Sequence, residues 1–216
     1  MDLELARYNM VEQQLRPWDI TNQDVLELFR TVRREDFVPP SHRNLAFAEM
    51  ELPIGHGQYM LKPIIEGKLL QAAQLRDGER VLEIGTGTGW FTALLARRAA
   101  HVTSIECITE LAQTARSNLA YAQVKNVEVV EGDAFTDALS ANDPFDLIIA
   151  TGSVSALPES WQALLRPGAR LLAIVGQAPV QEAVLLEHTG EQITRRSLFE
   201  TCIPPLKEAA TPSFVF

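Results

Sequence analysis

The sequence predicts an α/β fold: a doubly wound, mostly parallel sheet with helices on both faces, an N-terminal helical extension and a C-terminal antiparallel hairpin. From Arg80 onward, short apolar runs recur at VLEI (81–84), HVTSIE (101–106), NVEVVEG (126–132), FDLIIA (145–150) and RLLAIV (170–175). Helical stretches at residues 90–98, 110–122 and 158–165 separate most of them. Alternation of this kind builds a parallel sheet, because each crossover must carry the chain back over one face. The stretch QEAVLLEHTGEQITRRSLFE (181–200) differs. Its two runs meet at Thr189-Gly190, the turn of an antiparallel hairpin on the sheet edge.

Upstream of the sheet the pattern is helical. Leu3, Leu5, Tyr8, Met10, Val11 and Leu15 fall loosely at helical spacing over residues 3–15. Thr21, with Asp24 three residues on, is the expected N-cap of a second helix whose apolar side is Val25, Leu26, Leu28, Phe29 and Val32. The two prolines of FVPPS stop it, and residues 64–75 read as a helix leading into the first strong strand. The expected division is 1–63, a helical extension and site wall, and 64–216, the α/β core, in one compact domain.

Composition narrows the function. With 216 residues, 46% of them hydrophobic, the chain can bury one good core. A formal charge of −9 argues against nucleic acid, whose binders present a basic face. Cys107 and Cys202 are too few for a disulfide framework and fit a reducing compartment. Neither a leader nor a membrane-spanning run is visible, so the expected location is cytoplasmic. The tail KEAATPSFVF is expected to be loose until Phe214 and Phe216 of Phe214-Val215-Phe216 find a surface.

The chemistry concentrates after the first strand. VLEIGTGTG places Gly85, Gly87 and Gly89 between strand and helix, where a ligand can approach backbone that has no Cβ. The dinucleotide fingerprint needs its third glycine where Trp90 stands, and no Walker Gly-Lys-Ser/Thr is present. Glu106 ends the second strand, where a carboxylate can accept both hydroxyls of a ribose; Asp133, after the third, is placed to take an adenine amino group. With the glycine loop they describe an adenosine pocket, and Cys107 is a small apolar residue at its ribose end. His42, His101 and His188 read as surface or strand-end residues. No clustered His, Cys and Asp suggests a metal.

These features resemble a class I S-adenosylmethionine-dependent methyltransferase. Three segments narrow the match: MVEQQLRPWDITNQDVLELFRTVRREDFVPP, AFAEMELPIGHGQ and VLEIGTGTGWFTALLA. Over roughly residues 9–180 they resemble the protein-L-isoaspartate (D-aspartate) O-methyltransferase family. The specific markers are Arg34-Glu35-Asp36-Phe37-Val38-Pro39 and Leu52-Pro53-Ile54-Gly55-His56-Gly57-Gln58.

The resemblance implies a Rossmann-like core, S-adenosyl-L-methionine as cofactor and S-adenosyl-L-homocysteine as product. It implies cofactor contacts at Gln58, Glu83, Gly85, Thr86, Gly87, Gly89, Glu106, Cys107, Asp133 and Ala134. Substrate contacts fall at His56, Gly57, Tyr59 and Met60, and catalytic positions at Tyr59, Leu61, Thr151 and Ser153. The family usually continues Thr-Ile-Ser after the Gly-x-Gly, its hydroxyls near the substrate carboxylate; here Gln58 and Pro63 frame Tyr59-Met60-Leu61. Compensating hydroxyls are expected from Thr151, Ser153 or Ser155, or from the Tyr59 phenol. Of these residues Met60 leans toward ordinary core, and Leu61 stands evenly between core and site.

The expected partner is a protein or peptide carboxylate, or an unidentified acceptor, with no nucleic acid or membrane; the expected state is a monomer or weak dimer. An amino-DNA methyltransferase would show Asn/Asp-Pro-Pro-Tyr/Phe where this chain has Ala150-Thr151-Gly152-Ser153, and the metal-dependent catechol type lacks its ligands. Three readings follow: an isoaspartyl carboxyl methyltransferase, a methyltransferase of the same fold with another acceptor, and a non-catalytic cofactor-binding module.

Overall fold

A computed structural model describes residues 2–136 and 144–207. The chain opens with α1 (Leu3–Asn9), a π-helical turn at Met10–Leu15, and α2 (Gln23–Thr31). A two-stranded hairpin follows, β1 (Leu52–Gly55) with β2 (Gln58–Met60), and then α3 (Pro63–Ala73). The α/β part runs β3 (Arg80–Ile84), α4 (Trp90–Ala96), β4 (His101–Glu106), α5 (Thr109–Tyr121), β5 (Val127–Glu131) and β6 (Leu147–Val154). It ends with α6 (Glu159–Gln162), β7 (Arg170–Gln177), β8 (Val180–His188) and β9 (Ile193–Thr201).

The main sheet has the order β5-β4-β3-β6-β7-β8-β9; β5 to β7 are parallel and β8 and β9 antiparallel. Its central strands β3, β6 and β7 are apolar on both faces, as a covered parallel sheet requires. Val81, Leu147, Ile149, Leu172 and Ile174 join one core with Phe29, Leu69 and Leu94 of the N-terminal helices and α4. Their neighbours Leu82, Ile148, Ala150, Leu171 and Ala173 point the other way, into a core with Trp161 of α6. The first core runs across residue 63, from Met10 to Ile203. Winding reverses between β3 and β6, which opens a crevice at their carboxyl ends.

Four expectations are corrected in detail. Asn22, not Thr21, caps α2, its Oδ1 accepting from the amides of Asp24 at 2.9 Å and Val25 at 3.3 Å, while the Thr21 amide donates to Gln71. Leu5 and Tyr8 lie on the exposed side of α1, and the buried stripe starts at Met10 and Val11. The α6 helix is shorter than 158–165 because its last turns tighten to i→i−3 bonds at Leu164 and Leu165. β6 runs past residue 150 to Val154 because it gains a second partner, the Pro204–Leu206 backbone, at Ser153. The tail from residue 208 onward lies outside the described residues. Among the described residues no helix is long and apolar enough to cross a membrane.

One buried cation ties the extension to the core. Arg34 is fully buried, ion-paired with Glu66 of α3, and donates to the carbonyls of Ala46 at 2.9 Å and Leu61 at 2.7 Å. The indole of Trp90, first residue of α4, donates to the same Glu66 carboxylate at 2.9 Å, and the guanidinium lies 5.4 Å from a Trp90 ring centroid. Phe29 and Phe37 pack against that indole. Burial pushes the Glu66 carboxyl up, and Arg34 pulls it back. Removing the cation leaves the buried Glu66 carboxylate with only the Trp90 indole as donor and takes a donor from two carbonyls. Arg34→Met is therefore expected to cost about 3–5 kcal/mol of unfolding free energy, read from equilibrium urea denaturation.

Candidate active site

The crevice at the carboxyl ends of β3 and β6 spans about 640 Å³, part of it open to solvent. The glycine loop forms its floor. Gly85 follows β3 at φ +94°, where an added Cβ would lie 2.7 Å from the Thr151 hydroxyl and 2.8 Å from Leu206 Cδ2. Only glycine fits both that backbone and that space. Gly87, at φ +57°, also lines the pocket.

The loop is held from several strands. The Gly87 amide donates to Glu106 Oε2 at 2.8 Å, and Thr86 Oγ1 lies 2.6 Å from Ser104 Oγ of β4. From β6, the Thr151 hydroxyl bonds the carbonyls of Gly85 and, at 3.1 Å, Ile84. From α5, the Asn118 side-chain amide donates to the Thr88 carbonyl at 3.0 Å.

The structure brings together most of the residues singled out in the sequence. Gln58, Tyr59, Leu61, Gly85, Gly87, Glu106, Cys107, Asp133, Ala134 and Thr151 all line this pocket. Met60 and Thr86 line a smaller cleft beyond Leu61. Glu106 Oε1 accepts the Ile108 amide at 3.1 Å, so both carboxylate oxygens are oriented by backbone, with acceptor capacity left for a ligand hydroxyl. Burial raises the Glu106 pKa, against the pull of the N–H groups it accepts. Burial also raises the Cys107 thiol, followed by the Glu106 and Asp133 charges. Its lining role is that of a neutral group. Asp133 Oδ1 accepts the Phe135 amide at 2.9 Å.

Other candidates stand elsewhere. Glu83 does not line the pocket: it lies fully buried beneath the loop, accepting Ser104 Oγ at 2.6 Å and Thr92 Oγ1. Ser104 in turn meets Thr86, so Glu83 supports the loop from below. Ser153 is buried against Gln181 and the Ile203 carbonyl and faces a different cavity, which Ser155 also lines. Gly89 precedes α4 and packs against Leu119. His56 and Gly57 form the exposed tip of the β1–β2 hairpin, with His56 Nε2 3.9 Å from the Glu110 carboxylate. Met60 and Leu61 are both buried, so Leu61 is a core residue and a wall residue at once.

Sequence reasoning missed Leu111, Phe135 and Gly152 on the walls, and the strap Pro204, Pro205, Leu206 and Lys207 across the pocket. Pro-Pro-Leu after a hairpin carries no periodicity that would have marked it. Among the described residues no group of His, Cys, Asp and Glu is placed to hold a metal.

Glu83 gives the site a pH signature. Burial, with no protein partner at Oε1 among the described residues, raises its pKa from 4.5 to about 8. The folded protein then keeps a proton that the unfolded chain releases near pH 4.5. The stability this proton carries is complete below that value and is lost as pH rises toward about 8, at roughly 1.4 kcal/mol per unit. Thermal melts across that window should show Glu83→Gln with a flatter profile than the unsubstituted protein. Parallel profiles would mean that Glu83 is ionised throughout.

Comparison with known proteins agrees with this geometry. The family described as Protein-L-isoaspartate(D-aspartate) O-methyltransferase (PCMT) matches residues 6–209. The protein-L-isoaspartate O-methyltransferase of Methanoculleus marisnigri is 38% identical over 200 residues, covering 93% of this chain and 90% of that one. Protein-L-isoaspartate O-methyltransferase 1 of Rhodopseudomonas palustris is 41% identical over 185 residues, or 85% and 75% of the two chains. A Plasmodium falciparum structure, described as a putative protein-L-isoaspartate O-methyltransferase in complex with S-adenosyl-L-homocysteine, superposes with a TM-score of 0.81. It covers 97% of this chain and 100% of its own, but at 19% identity the likeness is one of fold. On the family match and the identity to these relatives, the chain belongs to the protein-L-isoaspartate (D-aspartate) O-methyltransferase family.

Proposed function

We propose that this protein transfers a methyl group from S-adenosyl-L-methionine to the carboxylate of isoaspartyl residues in proteins or peptides. The observation that carries the reading is one pocket joining the glycine loop, Glu106 and Asp133 to the wall at Gln58, Tyr59 and Leu61. The residues fit the cofactor. Gly85 and Gly87 leave room at the loop, Glu106 offers oriented oxygens for ribose hydroxyls, and Ile105, Ala134 and Phe135 give an apolar bed for an adenine ring beside Asp133. When bound, the cofactor supplies a sulfonium methyl group, and S-adenosyl-L-homocysteine is the product. In this reading residues 1–63 are the extension and acceptor-side wall, residues 64–216 carry the donor site, and the protein works in the cytoplasm.

The residues act by orientation. A carboxylate, with a pKa of about 4, is ionised at neutral pH and needs no general base. The wall must hold one of its oxygens in line, about 3 Å from the methyl carbon. Thr151 is poorly placed to supply that contact by donation, because its proton serves the loop carbonyls, and Ser153 faces away. Among the described residues, the half-exposed phenol of Tyr59 is the remaining hydroxyl on the wall.

One observation favours a second reading, the same chemistry on another acceptor: bulky Tyr59 and Leu61 stand where the family usually has small hydroxyls. Incubation with methyl-labelled cofactor and either an isoaspartyl peptide or a cell extract separates the two. Base-labile label on the peptide supports the first reading, and label confined to extract supports the second.

Two variants test the parts. Glu106→Ala should weaken cofactor binding by about 1.5–3 kcal/mol in calorimetry, the worth of hydrogen bonds to a charged group; an unchanged affinity would leave Glu106 as loop support alone. Tyr59→Thr with Leu61→Ser should raise kcat/KM on an isoaspartyl peptide at least about tenfold while leaving cofactor affinity nearly unchanged. Melting curves must accompany it, because shortening buried Leu61 opens a cavity. If the unsubstituted protein already matches the double variant, the Tyr59 phenol carries the orienting role.

A further inference from the structure

The strap across the pocket is held by hydrogen bonds from one side chain of β8. Gln181 is buried, and its amide grips the Ile203 peptide just after the end of β9. Its Oε1 accepts the Ile203 amide at 2.8 Å and its Nε2 donates to the Ile203 carbonyl at 3.2 Å. The same Nε2 donates to Ser153 Oγ at 3.1 Å, and Ser153 Oγ donates to the Ile203 carbonyl at 3.2 Å. Backbone bonds extend the clamp along β6: the Ser153 amide to Pro204 O at 3.1 Å, and the Leu206 amide to Ser153 O at 2.9 Å.

Beyond the clamp, Leu206 packs on two glycines. A Cβ at Gly85 would meet Leu206 Cδ2 at 2.8 Å, and one at Gly152 would meet it at 2.9 Å. The Cys107 thiol then donates to the Lys207 carbonyl at 3.3 Å, so the strap reaches from β8 across to the end of β4. Ile203 is buried in the first core and Leu206 packs against the second. Pro204 and Pro205 also border a second, more open cleft of about 750 Å³, lined by Gln181, Ser153, Ser155 and Cys202. Between two clefts, the Pro204-Pro205 segment is positioned in large part by its hydrogen bonds.

We propose that Gln181 is a positioning residue for methyl transfer. It touches neither cofactor nor acceptor, and it fixes the strap so that Leu206 seats on Gly85 and closes the cofactor pocket. The inference rests on the cofactor reading of that pocket.

The test is a double-mutant cycle with Gln181→Met and Leu206→Ala in the full chain. It is read by calorimetry with S-adenosyl-L-homocysteine, by melting temperature and by amide hydrogen exchange. Gln181→Met should weaken binding about tenfold, one hydrogen-bonded anchor's worth. The Ile203 and Leu206 amides should exchange faster, with those of β3 and β4 unchanged. Leu206→Ala should weaken binding similarly, and the double variant should be little worse than the weaker single, because both changes act on one element. Full affinity in Gln181→Met, additive losses, or faster exchange spreading to β3 and β4 with a fall in melting temperature would each overturn the proposal. Failure of the unsubstituted protein to bind would instead overturn the cofactor reading, and this inference with it.

Discussion

The fold depends on a charge placed where charges are expensive. Arg34 and Glu66 are both removed from water, which is tolerable only because nearly every polar atom between them is used: Glu66 also takes the Trp90 indole, and Arg34 also takes two backbone carbonyls. The partners come from different parts of the chain. Arg34 belongs to the extension, Leu61 to the acceptor wall, Glu66 to α3, and Trp90 opens the helix after the glycine loop. A purely apolar contact would join these parts without fixing their register, whereas a guanidinium has set directions. The acceptor wall and the donor loop are thus indexed to the same cation.

The glycine loop shows the same economy on a smaller scale. Its backbone is gripped by Glu106, Thr151 and Asn118, and its Thr86 side chain by Ser104, which stands on Glu83. Preorganisation of this kind suits a reaction whose chemistry needs little proton transfer and much alignment. The carboxyl below the loop fits the same scheme: burial, and after it the nearby Glu106 charge, favour the neutral form of Glu83.

Much of this was legible in the residues. The apolar runs located the starts of the parallel strands within two residues, because a strand covered on both faces has little other composition available. The convergence of the glycine loop, Glu106 and Asp133 on one pocket was legible because their positions are fixed by spacing from strand ends. What failed was anything decided by side-chain direction. Glu83 and Ser153 sit on the strands a site would use, but each faces into the protein, and sequence alone does not show on which side of an irregular strand end a residue will emerge. Leu61 was ambiguous because it is both core and wall. The strap was invisible because its place depends on Gln181, more than twenty residues earlier, and not on any local pattern.

The strap's pairing with the end of β6 also bears on biogenesis. Synthesis runs from the N-terminus, and the loop at Gly85 emerges from the ribosome long before Leu206. The sheet order compounds the delay, since β3 pairs with β6 and the clamp needs β8 as well. Until the last strand and the residues after it are released, the nascent chain can carry a formed floor with an open roof. A pocket with its strap in place therefore requires the chain through Leu206, and a product truncated before it can keep most of the sheet yet lack that wall.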